Sequence, residues 1–196
     1  NRSGPSSPWY HVLADSVRGS SKIIRSNGTN AEYTNTDALT SFNNNGFSLG
    51  SAVEVNGNDD AETYSSWSFK KTPGLIDIVT YEGNGSDRTI AHSLGCVPGC
   101  IMIKRTDAAE DWAVWHRGIY DLNTSNALTL NEGNGVEASS TYFTTTAPTS
   151  THFSVGTSGR VNGSSNPTRK YIAYIFAGGE SANSAAVSGS FNGSNQ

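Results

Sequence analysis

The sequence predicts an all-β chain of antiparallel strands, most simply arranged as a two-sheet β-sandwich or jelly roll. Short segments of alternating apolar and polar residues recur along the chain, and turn sequences such as Asn44-Asn45-Gly46 and Gly83-Asn84-Gly85 separate them. No segment of useful length repeats with the period of a helix. Because an alternating strand must bury one face, a unit of about 100 residues with roughly seven to nine strands closes most simply as two packed sheets.

The clearest strands lie in the middle of the chain. Periodicity predicts a strand from Ile76 to Tyr81, whose successive side chains point to opposite faces. A short strand is predicted from Arg88 to His92, and a nearly continuous apolar strand from Cys100 to Ile103. The alternation from Tyr64 to Phe69 predicts one more strand before this stretch.

The two halves of the chain resemble each other, and such self-similarity indicates repeated structural units. The offset between matching residues grows in one direction along the chain, as small loop insertions would make it grow. The matching segments are Trp9 to Gly19 with Trp112 to Gly118, Ile24 to Asn27 with Leu128 to Asn131, Ala31-Glu32 with Val136-Glu137, Phe47 to Gly50 with Phe153 to Gly156, Val55 to Gly57 with Val161 to Gly163, and Tyr64 to Phe69 with Tyr171 to Phe176.

These matches predict tandem repeats. Residues 1–72 form the back half of a first β-sandwich repeat, and residues 73–179 form a complete repeat. Residues 180–196 form a linker and the start of a further repeat, since residues 188–195 resemble residues 79–87. A window cut from a longer tandem protein explains this arrangement. Because half a sandwich exposes strand edges, we expect residues 1–72 either to pack on the complete repeat or to be completed by another chain.

Composition excludes several classes of function. The net charge of −4 argues against a nucleic-acid surface, which needs clustered lysine and arginine. No apolar run approaches the roughly 18 residues of a membrane span. The opening nine residues lack an apolar core, so we expect no signal peptide there.

Cysteine and histidine do not form a metal-binding pattern. Cys96 and Cys100 are the only cysteines, and we expect two half-buried thiols that fill strand positions; the alternative is a disulfide across the Pro-Gly turn. The four histidines lack the spacing of a metal site, and His92 is expected to cap the turn beside it or to bond backbone. We therefore predict no metal and no cofactor.

Acidic residues concentrate in turns. Two groups have the composition of a calcium-binding loop, although we expect both to be solvated acidic loops: Asp59, Asp60 and Glu62, and Asp107, Glu110 and Asp111. A retaining glycosidase needs two carboxyl groups about 5 to 5.5 Å apart, which usually come from alternate positions of one strand. No such pair lies within an apolar strand of this sequence, so we expect a protein that is not an enzyme.

The segment from Trp112 to Arg117 is the best candidate for ligand recognition. Alternation places Ala113, Trp115 and Arg117 on one face of the predicted strand. An exposed aromatic ring beside a cationic donor suits stacking on a sugar whose hydroxyl or acid groups the guanidinium binds. The other interpretation places both tryptophans in the sandwich core and Arg117 at the surface. The candidate carbohydrate-binding residues are Trp115, His116 and Arg117, with Tyr10 and His11 as their counterparts in the first half.

Several motifs together resemble a known module. They are the Gly-Asn-Gly at residue 83, the Ile-x-His-x-Leu-Gly-x-x-Pro-Gly from Ile90, the Ile-Lys-Arg ending at Arg105, the Trp-x-Val-x-His from Trp112 and the Tyr-Ile-Ala-Tyr-x-Phe-Ala from Tyr171. This set is similar to the concanavalin A-like or SPRY-like repeat modules of virion proteins in marine phages, notably the tail fibres of cyanophages. Cys96 and Cys100 stand where the pattern more often has valine and a larger apolar residue.

The resemblance implies an extracellular, virion-borne β-sandwich without an agreed ligand site. Our leading interpretation is a non-enzymatic structural and adhesion module of a tail fibre or appendage, with a host-surface glycan as the expected ligand. The partners implied are other copies of the chain, as in a homotrimer, or other virion proteins. Two alternatives stay open: a purely structural assembly or capsid-decoration module without a ligand, and a carbohydrate-binding module of a secreted protein.

Overall fold

The computed structural model describes residues 2–3, 10–57, 63–119, 126–139, 141–165 and 168–178. Helix in these ranges is limited to α1, Val53–Asn56, and a short 3-10 helix, Arg117–Ile119. All strand pairings are antiparallel, which confirms the all-β prediction. The strands are β1 Arg2–Ser3, β2 Val12–Asp15, β3 Gly19–Arg25, β4 Tyr33–Thr34, β5 Leu39–Asn43, β6 Gly46–Leu49, β7 Thr63–Tyr64, β8 Ile76–Glu82, β9 Arg88–Ala91, β10 Pro98–Arg105, β11 Ala113–His116, β12 Asn126–Thr129, β13 Glu137–Ala138, β14 His152–Val155 and β15 Lys170–Ala177.

The largest sheet has six strands in the order β13-β12-β11-β10-β15-β8. Its two long central strands, β10 and β15, pair along most of their lengths. Both strands are apolar on both faces, and five successive residues of β15, from Tyr171 to Ile175, are buried. A strand with this composition is expected where a sheet is covered on both sides.

The main core lies on one face of this sheet. Ile101, Trp115 and Ile175 point towards the two-stranded β9-β14 sheet, which contributes Ile90 and Phe153. Leu94, Phe143 and Val161 from the connecting loops complete the same cluster. Alternation along β10, β11 and β15 sends every second side chain to this face.

Residues from the first half of the chain cover the opposite face. Leu13 of β2 and Ile24 of β3 pack there against Trp112, Ile172 and Tyr174. The indole Nε1 of Trp112 donates a hydrogen bond of 2.9 Å to the backbone oxygen of Arg25, and the Tyr174 hydroxyl donates one of 2.6 Å to Asp15. The first half of the chain is therefore packed on the six-stranded sheet through β2, β3 and the following loop, which is the first of the two arrangements expected for it.

Polar contacts reinforce this packing. The Arg18 guanidinium bonds Asp15 at 2.6 Å and Glu32 at 3.3 Å, and it donates a bond of 3.2 Å to the Tyr174 hydroxyl. Lys104 is fully buried, and its ammonium donates bonds of 3.2 Å to the Thr29 oxygen and 2.7 Å to the Arg105 oxygen. Because Arg18 and Lys104 bond groups on both sides of the boundary between the halves, this boundary has specific polar contacts as well as apolar ones.

The predicted strand from Tyr64 to Phe69 is wrong over most of its length. Thr63 and Tyr64 pair with Ser3 and Arg2 of β1. Residues 66–70 lie outside the strands, and their side chains are exposed. Alternation fits a strand, but a strand also needs neighbouring backbone to accept and donate hydrogen bonds.

Candidate functional site

Trp115 does not lie where sugar stacking requires it. Its side chain is 4% exposed and belongs to the main core between the sheets. Trp112 is fully buried in the second cluster. The interpretation with both tryptophans in the core is therefore the one that the structure supports, and the Trp115 ring offers no free face.

His116 and Arg117 lie at the end of the same strand. The His116 side chain is exposed, and its Nδ1 accepts a hydrogen bond of 3.1 Å from the Gly118 amide. Arg117 opens the short 3-10 helix and lies against Gly178 at the end of β15. Both residues therefore lie near strand ends. The Trp115 ring that precedes them is buried and cannot stack on a sugar beside them.

The first-half candidates have a different environment. Tyr10 is 38% exposed, and the guanidinium carbon of Arg25 lies 4.0 Å from the centre of its ring. The ring of Tyr33 lies near the same guanidinium, with a carbon-to-centroid distance of 5.1 Å. An arginine within cation–π distance of two aromatic rings helps to hold both rings in place. We call Tyr10, His11, Arg25, Tyr33 and Glu54 the Tyr10 cluster.

Glu54 of α1 contacts both Tyr33 and Arg25 of this cluster. It accepts a hydrogen bond of 2.6 Å from the Tyr33 hydroxyl and one of 2.9 Å from the Asn35 amide. Its carboxylate lies 3.5 Å from the Arg25 guanidinium. Burial, followed by the bond to Glu54, raises the pKa of Tyr33 to about 12, so its hydroxyl stays protonated at neutral pH.

The backbone around Tyr10 is also fixed. The His11 amide donates a bond of 2.8 Å to the Asn27 side chain, and the His11 oxygen accepts one of 3.1 Å from the Ser26 amide. The Tyr10 ring lies against Gly28, where an added Cβ would be 3.5 Å from its Cε1. The Tyr10 ring is held in place beside the exposed His11 side chain. Such a ring can stack on the apolar face of a sugar, while a neighbouring polar side chain bonds the sugar hydroxyl groups.

The thiols of Cys96 and Cys100 and the imidazole of His92 have structural roles. Cys96 and Cys100 are free and half-buried, as expected, and burial raises the pKa of Cys100 to about 11, which keeps it a thiol. His92 is 8% exposed; its Nδ1 accepts a bond of 3.2 Å from the Leu94 amide, and its Nε2 lies 3.2 Å from the Thr149 oxygen. Burial lowers the pKa of His92, so the ring is neutral at pH 7. These bonds confirm the capping role predicted for His92.

The acidic side chains of the second candidate calcium loop are paired with basic ones. Asp107 bonds Arg105 at 2.8 Å, and Asp111 bonds Arg160 at 2.9 Å, with Glu110 3.8 Å from the same arginine. The bond to Arg105 is the main reason that the pKa of Asp107 falls to about 2. Over the residues that the structure describes, no group of histidine, cysteine or acidic side chains is arranged to hold a metal ion. Asp59, Asp60 and Glu62 lie outside the described residues.

Sequence analysis missed the most exposed aromatic residue among those described. Trp67 is 87% exposed and Phe69 is 59% exposed. The Phe69 ring packs edge-on against Phe176, with 6.3 Å between ring centres. The alternation from Tyr64 to Phe69 had indicated a strand, so these rings were assigned to a sheet rather than to an exposed segment.

Comparison with known proteins gives a family without an assigned role. Residues 2–196 match the model of the family DUF7483, described as a domain of unknown function, and the chain belongs to that family. Neither the curated proteins nor the solved structures include a significant match to this chain. Among the helices of the described residues, none has the length and apolar character of a membrane span.

Proposed function

We propose that this chain is a non-enzymatic structural and adhesion module of a phage virion, part of a tail fibre or similar appendage that binds a host-surface glycan. The observation that supports adhesion is the Tyr10 cluster, where Arg25 holds an exposed ring in place. A ring fixed before binding loses little conformational entropy when a sugar stacks on it. The virion location and the partners rest on the sequence motifs that resemble phage modules.

The same proposal includes tandem concanavalin A-like repeats, with residues 1–72 as a partial repeat, 73–179 as a complete one and 180–196 as the start of another. Matching hydrogen bonds in the two halves support it. The Asn56 amide bonds the Gly50 oxygen at 2.8 Å, and the Asn162 amide bonds the Gly156 oxygen at 3.0 Å.

Two tyrosines extend this correspondence. The Tyr64 hydroxyl accepts from the Gly57 amide and donates to the Val53 oxygen, both at 2.8 Å. The Tyr171 hydroxyl accepts from the Gly163 amide at 3.0 Å and donates to the Gly159 oxygen at 2.7 Å. These residues occupy the matching positions found in the sequence, so a shared ancestral loop explains the bonds.

A glycan array tests adhesion. The fluorescently labelled chain should bind a subset of host-surface glycans, and Tyr10→Ala should weaken that binding at least tenfold, about 1.4 kcal/mol, because the stacking ring is lost. Phe42→Ala is the matched control, since Phe42 is 44% exposed and lies in β5, outside the Tyr10 cluster. Its binding should equal that of the unchanged chain.

The array distinguishes the alternatives. No binding by the unchanged chain, or equal losses in Tyr10→Ala and Phe42→Ala, would reject the adhesion site. A trimer in light scattering without glycan binding would instead support a purely structural assembly module. Thermal unfolding of each variant beside the array shows whether a loss of binding reflects a loss of fold.

A further inference from the structure

Residues 66–71 carry two exposed aromatic rings. Trp67 is 87% exposed and Phe69 is 59% exposed. The whole segment lies outside the strands, and each of its side chains is exposed. Single exposed apolar residues are common on protein surfaces, whereas several together mark sites of interaction. We call Trp67, Phe69 and Lys70 the Trp67 surface.

Contacts on both sides hold this segment against the rest of the fold. Before it, β7 pairs with β1. After Trp67, the Phe69 ring packs edge-on against Phe176, with 6.3 Å between ring centres, and the Lys71 ammonium lies 2.7 Å from the Asp77 carboxylate. The backbone of Trp67 therefore lies between two attached points. This arrangement reduces the conformational entropy that is lost when a ligand binds the ring.

The charge of the Trp67 surface is positive. Lys70 is exposed, and within the described part of the chain no acidic side chain pairs with it. The charge of Lys71, in contrast, is balanced by Asp77. The chain as a whole has a net charge of −4, so a free ammonium group beside an exposed ring favours an anionic ligand at this surface in particular.

The size of the Trp67 surface favours a small ligand over a protein. Aromatic side chains bury about 150 to 250 Å² each, so the rings of Trp67 and Phe69 provide at most about 500 Å². Each partner of a stable protein complex buries about 800 Å². A sugar needs much less area, because one aromatic ring can stack on the apolar face of one sugar ring.

The spacing of Trp67 and Lys70 suits one short glycan. Three residues of extended chain span at most about 10 Å, so the indole ring and the ammonium group are within reach of the same oligosaccharide. An ammonium group donates charge-assisted hydrogen bonds to a carboxylate or sulfate oxygen. A sugar that carries such a group therefore matches both side chains, whereas a neutral sugar matches only the ring.

We propose that Trp67 and Lys70 form a second sugar-binding site, which takes an acidic glycan. The Trp67 ring stacks on a sugar ring, and the Lys70 ammonium bonds a carboxylate or sulfate group of the same glycan. The proposal rests on the adhesion role described under Proposed function and extends it with a second site and a class of ligand. Two sites on one chain increase the affinity for a long glycan when both are occupied.

An array that displays carboxylated and sulfated oligosaccharides beside their neutral counterparts tests the site. The unchanged chain should bind acidic members more strongly than their neutral counterparts. Trp67→Ala should weaken this binding at least tenfold, and Trp67→Phe should restore most of it, because the stacking ring returns. Lys70→Gln should weaken it about threefold, as expected for one exposed charge pair.

Two matched controls should bind as the unchanged chain does. Phe42→Ala removes an exposed ring of β5, and Lys170→Gln removes an exposed lysine at the start of β15. Lys170 precedes Phe176 by six strand residues, or about 20 Å, so it lies far from the Trp67 surface. Thermal unfolding of each variant shows whether a loss of binding reflects a loss of fold.

Fluorescence tests direct contact with the ring. In a Trp9→Phe chain, acrylamide should quench mainly Trp67, since Trp112 and Trp115 are buried. The acidic oligosaccharide that binds most strongly on the array should reduce this quenching. Quenching that stays unchanged at a saturating concentration of this oligosaccharide would overturn the proposal.

The other outcomes separate this site from the Tyr10 cluster. Absence of acidic-glycan binding, equal binding of acidic and neutral members, or full binding by Trp67→Ala would each overturn the Trp67 site. Binding that is lost in Tyr10→Ala and kept in Trp67→Ala would retain the proposed function and reject this extension of it. The converse would retain the Trp67 site and reject the Tyr10 cluster. A dimer that Trp67→Ala converts to a monomer would identify a second copy as the occupant and overturn the sugar site.

Discussion

The two halves of the chain make matching polar contacts but bury them to different extents. Asn162 is fully buried, and its amide bonds the Ser86 oxygen at 2.7 Å and the Asn84 side chain at 3.1 Å, in addition to Gly156. Asn56 makes the matching bond to Gly50 at an exposed position. The loop that contains Asn162 therefore makes more buried hydrogen bonds than the matching loop that contains Asn56.

The tryptophans show the same difference. Trp112 is fully buried between the six-stranded sheet and residues 10–57, whereas Trp67 is 87% exposed. Side-chain type alone does not decide which tryptophan is a core residue, because burial depends on the strands that flank it. Substitutions at one buried and one exposed tryptophan can separate the contribution of the residue from that of its surroundings.

The largest effect is expected at the boundary between the halves. Trp112→Ala should lower the free energy of unfolding by about 3 to 5 kcal/mol, because it opens a cavity and removes the bond to the Arg25 oxygen. Trp67→Ala should lower it by less than about 1 kcal/mol. Urea unfolding followed by circular dichroism measures both. Similar losses at the two positions would show that Trp67 is buried in solution.

Asn162 should likewise contribute more to the free energy of unfolding than Asn56. Asn162→Ala should cost about 2 to 3 kcal/mol, since it leaves buried acceptors without donors, while Asn56→Ala should cost about 0.5 to 1 kcal/mol at its exposed position. Paired urea titrations of the two variants give this ratio. Equal costs would mean that the first-half loop is as buried in solution as the second.

Much of the fold follows from local pattern. Alternation predicted the strand that begins at Ile76, and a continuous apolar run predicted the buried strand around Ile101, because each pattern reflects the number of buried faces. The 64–69 segment has the same alternation as Tyr171 to Phe176, yet residues 66–69 lie outside the strands of the described part of the chain. Pairing depends on distant segments, which a local pattern does not contain.

The candidate site was predicted only in part. Tyr10 was singled out as the counterpart of a tryptophan strand, and the structure places it on an exposed surface. Its contact with Arg25 and the support from Glu54 come from segments far apart in sequence, and no motif links them. Trp115 was singled out by the same reasoning, but both faces of its strand are covered, because residues 10–57 pack on the second face.

The smallest effect concerns Lys104, which joins the halves through the Thr29 oxygen. Burial lowers its pKa from 10.5 to about 8, so the unfolded chain binds more protons than the folded chain between these values. Stability should therefore rise with pH from about 8 to 9.5, and Lys104→Met should remove that rise. Urea titrations at pH 7, 8 and 9.5 measure it, with Lys70→Met, at an exposed position, as the control. The same pH dependence in all three chains would mean that the Lys104 ammonium is hydrated in the folded chain.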